Sequence, residues 1–239
     1  VERRRSGPGT PDGRDVLLLL GTGLFFAGDL AFWHLSILRT RIANATLLAC
    51  LASTLAALAA WILFRERLRG WVLSGLLLAL GGAGLLMKGS ASGSGDLGGD
   101  ALGVLAAVFY AGYLLGIGRL RARVTTAGSM AWSGVGASAG LLLAAAWAGE
   151  RLLPGTSRGW LWVGLLALGG QILGQTLIAY ALAHLSMAFS AVSLLVQPVV
   201  AAVLSWRFYG ESLSTLQLGG GALILAGIVA ARLGSLSKE

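Results

Sequence analysis

Long apolar stretches are the feature of this sequence that most constrains its fold. Eight follow one another with short connections, and each is close to the roughly 20 residues that an α-helix needs to cross a bilayer. They cannot all be buried in one soluble core, because 56% of the 239 residues are hydrophobic and only 12% are charged. The sequence therefore predicts an all-α, polytopic integral membrane protein. The predicted spans are 16–34, 43–63, 70–87, 100–118, 127–148, 160–181, 187–206 and 214–232.

The basic residues indicate how these spans are oriented. If the N-terminus is cytoplasmic, twelve of the 18 Lys and Arg residues fall inside and six fall outside, which is the positive-inside pattern. Both termini are therefore expected in the cytoplasm. The eight Trp residues lie near predicted span ends, as in an aromatic belt. This topology accounts for the net charge of +8, so no nucleic-acid partner is expected.

One stretch of the chain occurs twice. Residues 188–213 align without a gap on residues 43–68 when the chain is shifted by 145 positions, and the register extends to 163–232 against 18–87. An ungapped register with shared landmarks indicates an internal duplication, which is typical of transporters built from repeats. The landmark pairs are Trp61 with Trp206, Glu66 with Glu211, Leu73 with Leu218, and Gly75 with Gly220.

The two copies are predicted to run in opposite directions through the membrane. The loop at 65–69 is expected inside and its counterpart around Glu211 outside, which requires an odd number of spans per copy. Only three spans precede the Gly/Ser linker, whereas five follow it, so the first copy is interpreted as lacking two helices. The predicted segments are a cytoplasmic stretch at 1–15, a first repeat at 16–90, the linker at 91–99, a second repeat at 100–233 and a cytoplasmic tail at 234–239.

Three stretches resemble EamA-type members of the drug/metabolite transporter superfamily. They are residues 28–68 (GDLAFWHLSILRTRIANATLLACLASTLAALAAWILFRERL), 100–120 (DALGVLAAVFYAGYLLGIGRL) and 190–228 (SAVSLLVQPVVAAVLSWRFYGESLSTLQLGGGALILAGI). A small-residue helix followed by a Glu-x-Leu turn occurs twice, and the likeness covers Asp15 to Leu233. The resemblance implies an inner (plasma) membrane protein with ten helices in two inverted five-helix repeats. Such a secondary carrier moves small metabolites or drugs through a central cavity by alternating access.

The two absent helices leave an alternative open. In it the chain is a non-transporting remnant, or a subunit that needs a partner, such as a second copy in a homodimer, to complete the bundle. An enzyme is a third possibility, because Gly136 to Gly140 matches the GxSxG pattern around Ser138. In enzymes this pattern forms a nucleophile elbow, which requires a preceding strand. Ser138 instead lies within an apolar span, so no enzymatic activity is predicted. No metal site or cofactor is predicted either, since Cys50 is the single cysteine.

Asp29 is the sharpest candidate for a functional residue. It lies about two-thirds of the way through the first span, and Trp33 shares its helical face four residues later. A charge in hydrocarbon is costly unless it faces a cavity or a partner. Asp29 therefore either contacts substrate and couples transport to protons, or is a carboxyl near the outer interface that His34 or a loop arginine holds.

The remaining candidates for substrate binding lie in later spans. Gln171 and Gln175 share a helical face, and they either line a polar cavity or bond to a neighbouring helix. Tyr110 and Tyr113 also share a face. These two tyrosines and Tyr180 are candidate cavity walls or, alternatively, lipid-interface and core aromatics.

Gln197 belongs to a polar stripe with Ser190 and Ser193, which either lines the cavity or is a packing surface. Pro198 follows Gln197 and is expected to kink its helix. The matching position of the first copy is Ser53, so no kink is expected there. Two glycine pairs at i, i+4 spacing predict close helix packing. They are Gly112 with Gly116, and Gly170 with Gly174.

Overall fold

A computed structural model describes residues 11–40, 42–64, 70–88, 96–120, 123–150, 152–209 and 214–236. Several features singled out in the sequence lie outside the described residues. They are most of the cytoplasmic stretch 1–15, the basic loop 65–69 with Glu66, residues 91–95 of the linker, the turn at Glu211, and the last residues of the tail.

Helices account for almost all of the described residues, as the apolar stretches predict. Each predicted span overlaps at least one helix, and two of the spans contain irregularities that are described below. The helices are α1 (Gly13–Arg39), α2 (Ile42–Phe64), α3 (Gly70–Lys88), α4 (Leu97–Leu120), α5 (Thr126–Trp147), α6 (Ser157–Leu165), α7 (Thr176–His184), α8 (Met187–Leu194), α9 (Gln197–Tyr209) and α10 (Thr215–Leu236).

Within the described residues, four helices are long and apolar enough to cross a membrane. They are Gly13–Arg39, Leu97–Leu120, Thr126–Trp147 and Ser157–His184. Four further apolar stretches are shorter, at Leu48–Leu63, Gly70–Leu85, Phe189–Val200 and Thr215–Ala231. The all-helical membrane class is thereby supported, and the number of eight spans stays a prediction.

The seventh predicted span is interrupted. Helix α8 ends at Leu194 and α9 begins at Gln197, one residue before Pro198. Proline has no N–H, and its ring clashes with the carbonyl four residues earlier, here that of Leu194. The backbone instead tightens, because Leu195 N donates to Val192 O (3.1 Å) and Val196 N to Ser193 O (3.1 Å). Helix α2 continues unbroken past Ser53, so the prediction of a kink in one copy only is confirmed.

The sixth predicted span contains a feature that the sequence did not predict. Its middle, Leu166–Gln175, is a π-helix between α6 and α7. Hydrogen bonds in a π-helix reach five residues back, so the turn is wider than in an α-helix and packs fewer atoms at its axis. π-Helical segments are rare in proteins, and those that occur are often found at functional sites.

The chain divides into two compact units, and helices α1 and α4 contribute residues to both. The first unit comprises the described residues within 1–31 and 112–185, and therefore contains α5, α6, the π-helix and α7. The second comprises those within 32–111 and 186–239, and contains α2, α3, α8, α9 and α10.

In the second unit, α3 packs along α10 in an antiparallel pair. Gly75 of α3 faces the carbonyl oxygen of Gly227, and a Cβ on Gly82 would lie 2.5 Å from the carbonyl oxygen of Gly220. Only glycine permits two helix backbones to approach this closely. The other helices of this unit pack around the pair, with α2 against both α3 and α8.

Candidate functional site

The first unit contains a cavity of about 380 Å³ that is partly open to the surface. Its volume is within the range of about 300 to 1,000 Å³ typical of small-molecule sites. All fourteen residues that line it belong to this unit, and they come from α1, α4, α5 and the run 157–184. These are the four helices that are long and apolar enough to cross a membrane.

Each of these four helical runs contributes residues to the lining of the cavity. Helix α1 provides Phe26 and Leu30, and α4 provides Tyr113. The residues from α5 are Met130, Ala131, Ser133, Gly134, Ala137, Ser138 and Leu141, and those from the π-helix and α7 are Gln171, Ile172, Gln175 and Thr176.

Close contact between α1 and α4 builds one wall. Gly112 lies against the ring of Phe25, and Gly116 lies against the Thr22 side chain, where a Cβ would be 2.7 Å from Thr22 Cγ2. The close packing predicted for Gly112 and Gly116 is therefore observed. It brings the rings of Phe26 and Tyr113 together, with centroids 4.7 Å apart and planes tilted by 34°.

Helix α5 presents one face of mixed large and small residues to the cavity. Met130, Ser133, Ala137 and Leu141 follow one another at intervals of three or four, which places them on one side of the helix. Gly23 of α1 fits against the backbone of Ser133 and Ala137, since a Cβ on Gly23 would lie 2.7 Å from Ala137 N. The Ser133 hydroxyl donates to Ser129 O at 2.7 Å, so its proton is already used within the helix.

The π-helix supplies two amide side chains. Gln171 and Gln175 both line the cavity and are half-buried. The Oε1 atom of Gln175 is buried and has no hydrogen-bond partner among the described residues. The close packing predicted for Gly170 and Gly174 is not observed, because the nearest atoms to each belong to their own helical run.

The described part of the cavity wall carries no formal charge. None of the described residues that line it is an Asp, Glu, Lys, Arg or His. Its polar groups are hydroxyls and amides, and the rest of the surface is aromatic and aliphatic.

Three of the eight predicted site residues line this cavity: Tyr113, Gln171 and Gln175. Tyr113 is only 2% exposed, and its hydroxyl lies 4.0 Å from the sulfur of Met130. Sequence reasoning did not identify the face of α5 that lines the cavity. The sequence signal that could have identified this face is the i, i+3, i+7 and i+11 spacing of Met130, Ser133, Ala137 and Leu141.

The other five predicted site residues are not among the residues that line the cavity. Trp33, Tyr110 and Gln197 belong to the second unit, where Gln197 is exposed as the first residue of α9. Tyr180 is exposed and stacks on His184, with ring centroids 4.2 Å apart.

Asp29 is half-buried on α1, between the two residues of that helix that line the cavity. No hydrogen bond or ion pair of Asp29 is found within the described part of the chain.

The structure also places the GxSxG pattern and the side chains that could bind a metal ion. Ser138 lies within the continuous helix α5, whereas a nucleophile elbow is a sharp turn between a strand and a helix. Among the described residues, no group of three or more His, Cys, Asp or Glu side chains is placed to hold a metal ion.

Long apolar helices, four of them of membrane-spanning length among the described residues, define a polytopic membrane protein. A family model narrows this class further. The model of the EamA-like transporter family matches residues 97–233, which is more than half of the chain, so the chain belongs to this family. The family is one of membrane transporters, and the predicted resemblance is confirmed.

Solved structures show the same fold. One crystal structure aligns with a TM-score of 0.76 at 24% sequence identity, and the alignment covers 94% of this chain and 80% of the other. A comparison with curated proteins gave no match.

Proposed function

We propose that this chain is a secondary carrier that moves a small metabolite or drug across the inner membrane by alternating access. The observation that carries this proposal is the neutral cavity, which lies among the four membrane-length helices of a chain in a transporter family. Phe26, Ala137 and Gln171 line the cavity at or next to the middle of their helical runs. Substrate sites of carriers typically lie near the bilayer midplane.

A duplicated architecture supports the same mechanism. The 145-residue shift relates Gly75 to Gly220, and Gly82 to Gly227. The observed contacts join Gly75 to Gly227, and Gly82 to Gly220. Exchanging the two proposed copies therefore converts one contact into the other, as a two-fold axis between them would require. Because α3 and α10 are antiparallel, this axis is perpendicular to the helices, as inverted repeats require.

The remaining parts of the proposal concern topology and coupling. The proposed topology has both termini in the cytoplasm, and the excess of basic residues in the predicted inner loops supports it. Asp29 is the proposed coupling carboxyl, because it is half-buried in a membrane-length helix and has no partner among the described residues.

Thiol accessibility tests alternating access without knowledge of the substrate. Cys50 is the single cysteine, so Cys50→Ser gives a background without thiols. In this background, Ser138→Cys places one thiol in the cavity. We expect a membrane-impermeant thiol reagent to modify it in both right-side-out and inside-out vesicles, because the cavity opens to each side in turn.

The matched control is Ser186→Cys in the same background, at the exposed connection between α7 and α8. This thiol should react from one side only. If the thiol at position 138 also reacts from one side only, the cavity is a static pocket and alternating access is wrong for this chain.

A further inference from the structure

The cavity wall offers both flat apolar surface and hydrogen-bonding groups. The ring pair of Phe26 and Tyr113 and the side chain of Leu30 form its aromatic and aliphatic part. The amides of Gln171 and Gln175 belong to the π-helix. A ligand that matches this distribution has an apolar body with a hydrogen-bonding group at one edge.

The neutrality of the wall limits the charge of the ligand. Transfer of an ionised group out of water is strongly unfavourable unless an opposite charge receives it. No charged side chain lines the cavity among the described residues, and Asp29 is not part of the wall. An uncharged polar group needs only hydrogen bonds, which amides and hydroxyls supply.

Gln175 provides a specific acceptor for such a group. Its Oε1 is buried and has no partner among the described residues, although buried polar atoms are almost always hydrogen-bonded. The terminal torsion of a glutamine side chain has a broad energy profile, so the amide turns readily about it. Turning Oε1 toward the cavity would allow it to accept a hydrogen bond from a ligand and would satisfy the unpaired atom.

We propose that this cavity binds an uncharged molecule with a flat apolar body and a hydrogen-bond-donating edge, and that Gln175 is the residue that recognises the donor. The inference rests on the proposed function, since it names the substrate class of that same site. It makes Gln175 a specificity-determining residue, because a molecule without the donor would leave Oε1 unpaired.

Four naphthalene probes of nearly the same shape test this assignment. Naphthalene-2-carboxamide is neutral and carries an N–H donor, and 2-acetonaphthone is neutral but has only an acceptor. 2-Naphthoate carries a negative charge, and 2-(aminomethyl)naphthalene carries a positive charge at neutral pH. Saturable binding is measured by naphthalene fluorescence with the full chain in lipid nanodiscs, and protein-free nanodiscs give the partition background.

We expect the carboxamide to bind at one site per chain, and both charged probes to bind at least about tenfold more weakly. The acetonaphthone should bind about fivefold more weakly than the carboxamide, which is the effect of one neutral hydrogen bond. Gln175→Leu should weaken carboxamide binding by about the same factor and leave acetonaphthone binding unchanged. Leu173→Ala, at an exposed residue of the same π-helix, should change neither.

Three outcomes would overturn the inference: equal or tighter binding of a charged probe, equal affinity for carboxamide and acetonaphthone, or an unchanged carboxamide affinity in Gln175→Leu. The comparison of the two neutral probes on the unmodified chain keeps the test valid if the variant does not fold. Absence of binding by all four probes would also reject the substrate class. Alternating access is judged separately by thiol labelling at position 138, so failure of one proposal does not imply failure of the other.

Discussion

The aromatic rings of Phe26 and Tyr113 lie in direct contact, with centroids 4.7 Å apart and planes tilted by 34°. Phe26 is the central residue of α1, and Tyr113 lies in the second half of α4. Their contact depends on Gly112 and Gly116, which allow α4 to approach α1. One helix crossing therefore both stabilises the first unit and forms the aromatic wall of the cavity.

The ring pair should contribute a measurable coupling energy. A double-mutant cycle with Phe26→Leu and Tyr113→Leu is expected to give about 0.5 to 1.5 kcal/mol, because aromatic pairs gain this beyond the area that they bury. The measurement is the free energy of unfolding in mixed micelles. The control cycle combines Phe26→Leu with Trp147→Leu, which changes a side chain that is 93% exposed, and should be additive. An equal coupling in both cycles would show that the ring contact contributes nothing.

The glycine contacts of α3 and α10 allow a test by two adjacent substitutions. Gly82→Ala places a Cβ against the carbonyl oxygen of Gly220, so the helices must separate and the protein should lose about 1 to 3 kcal/mol of stability. Gly81→Ala is the matched control, because no atom lies within 4 Å of a Cβ at that position. Alanine there should be neutral or slightly stabilising, since it favours the helix by up to about 1 kcal/mol.

Thermal denaturation of the two variants in detergent measures this difference. Equal stabilities for Gly81→Ala and Gly82→Ala would contradict the close approach of the two backbones. The same comparison tests the two-fold arrangement. Gly227→Ala replaces the residue that the 145-residue shift relates to Gly82, and its loss should be similar.

Asp29 should control the pH dependence of the carrier. Protonation removes its charge, and the asparagine in Asp29→Asn resembles the protonated form. Since an ionised carboxyl is costly in hydrocarbon, the two forms of Asp29 are expected to favour different conformations. The rate of labelling of the thiol at position 138 from one side should therefore change with pH when Asp29 is present. In Asp29→Asn the labelling rate should not change with pH. It should equal the rate that is measured at low pH when Asp29 is present.

The thiol reagent itself reacts faster at high pH, so each rate is divided by that of Ser186→Cys at the same pH. The normalised labelling rate is then compared between the chain with Asp29 and the Asp29→Asn variant. If it changes with pH to the same extent in both, Asp29 has no coupling role.

Local features of the fold were predictable because each depends on residues close together in sequence. Apolar length predicted a helix in every proposed span, since a helix of about 20 such residues is what a bilayer requires. Pro198 predicted the break between α8 and α9 because its missing N–H acts within one turn. Gly112 and Gly116 indicated a packing face, and Gln171 and Gln175 were recognised as polar residues on one side of a helix.

The π-helix at Leu166–Gln175 was not predictable in the same way. Its ten residues include three leucines, an isoleucine and three glycines, which are equally compatible with an α-helix in lipid. Gly170 and Gly174 have the same spacing as Gly112 and Gly116, yet only the latter pair packs against another helix in the described part of the chain. The spacing indicates that close approach is permitted, and it does not identify a partner.

The sequence by itself determined the class of protein, and it predicts eight membrane spans and a duplication that relates two parts of the chain. Only the tertiary structure decided which residues surround the cavity, and it separated Tyr113, Gln171 and Gln175 from Tyr180 and Gln197. The physical reason is that lipid and protein interiors are both apolar, so a membrane helix carries little sequence signal of which side faces a neighbour. Adjacency between distant helices is set by side-chain packing, which only the assembled bundle specifies.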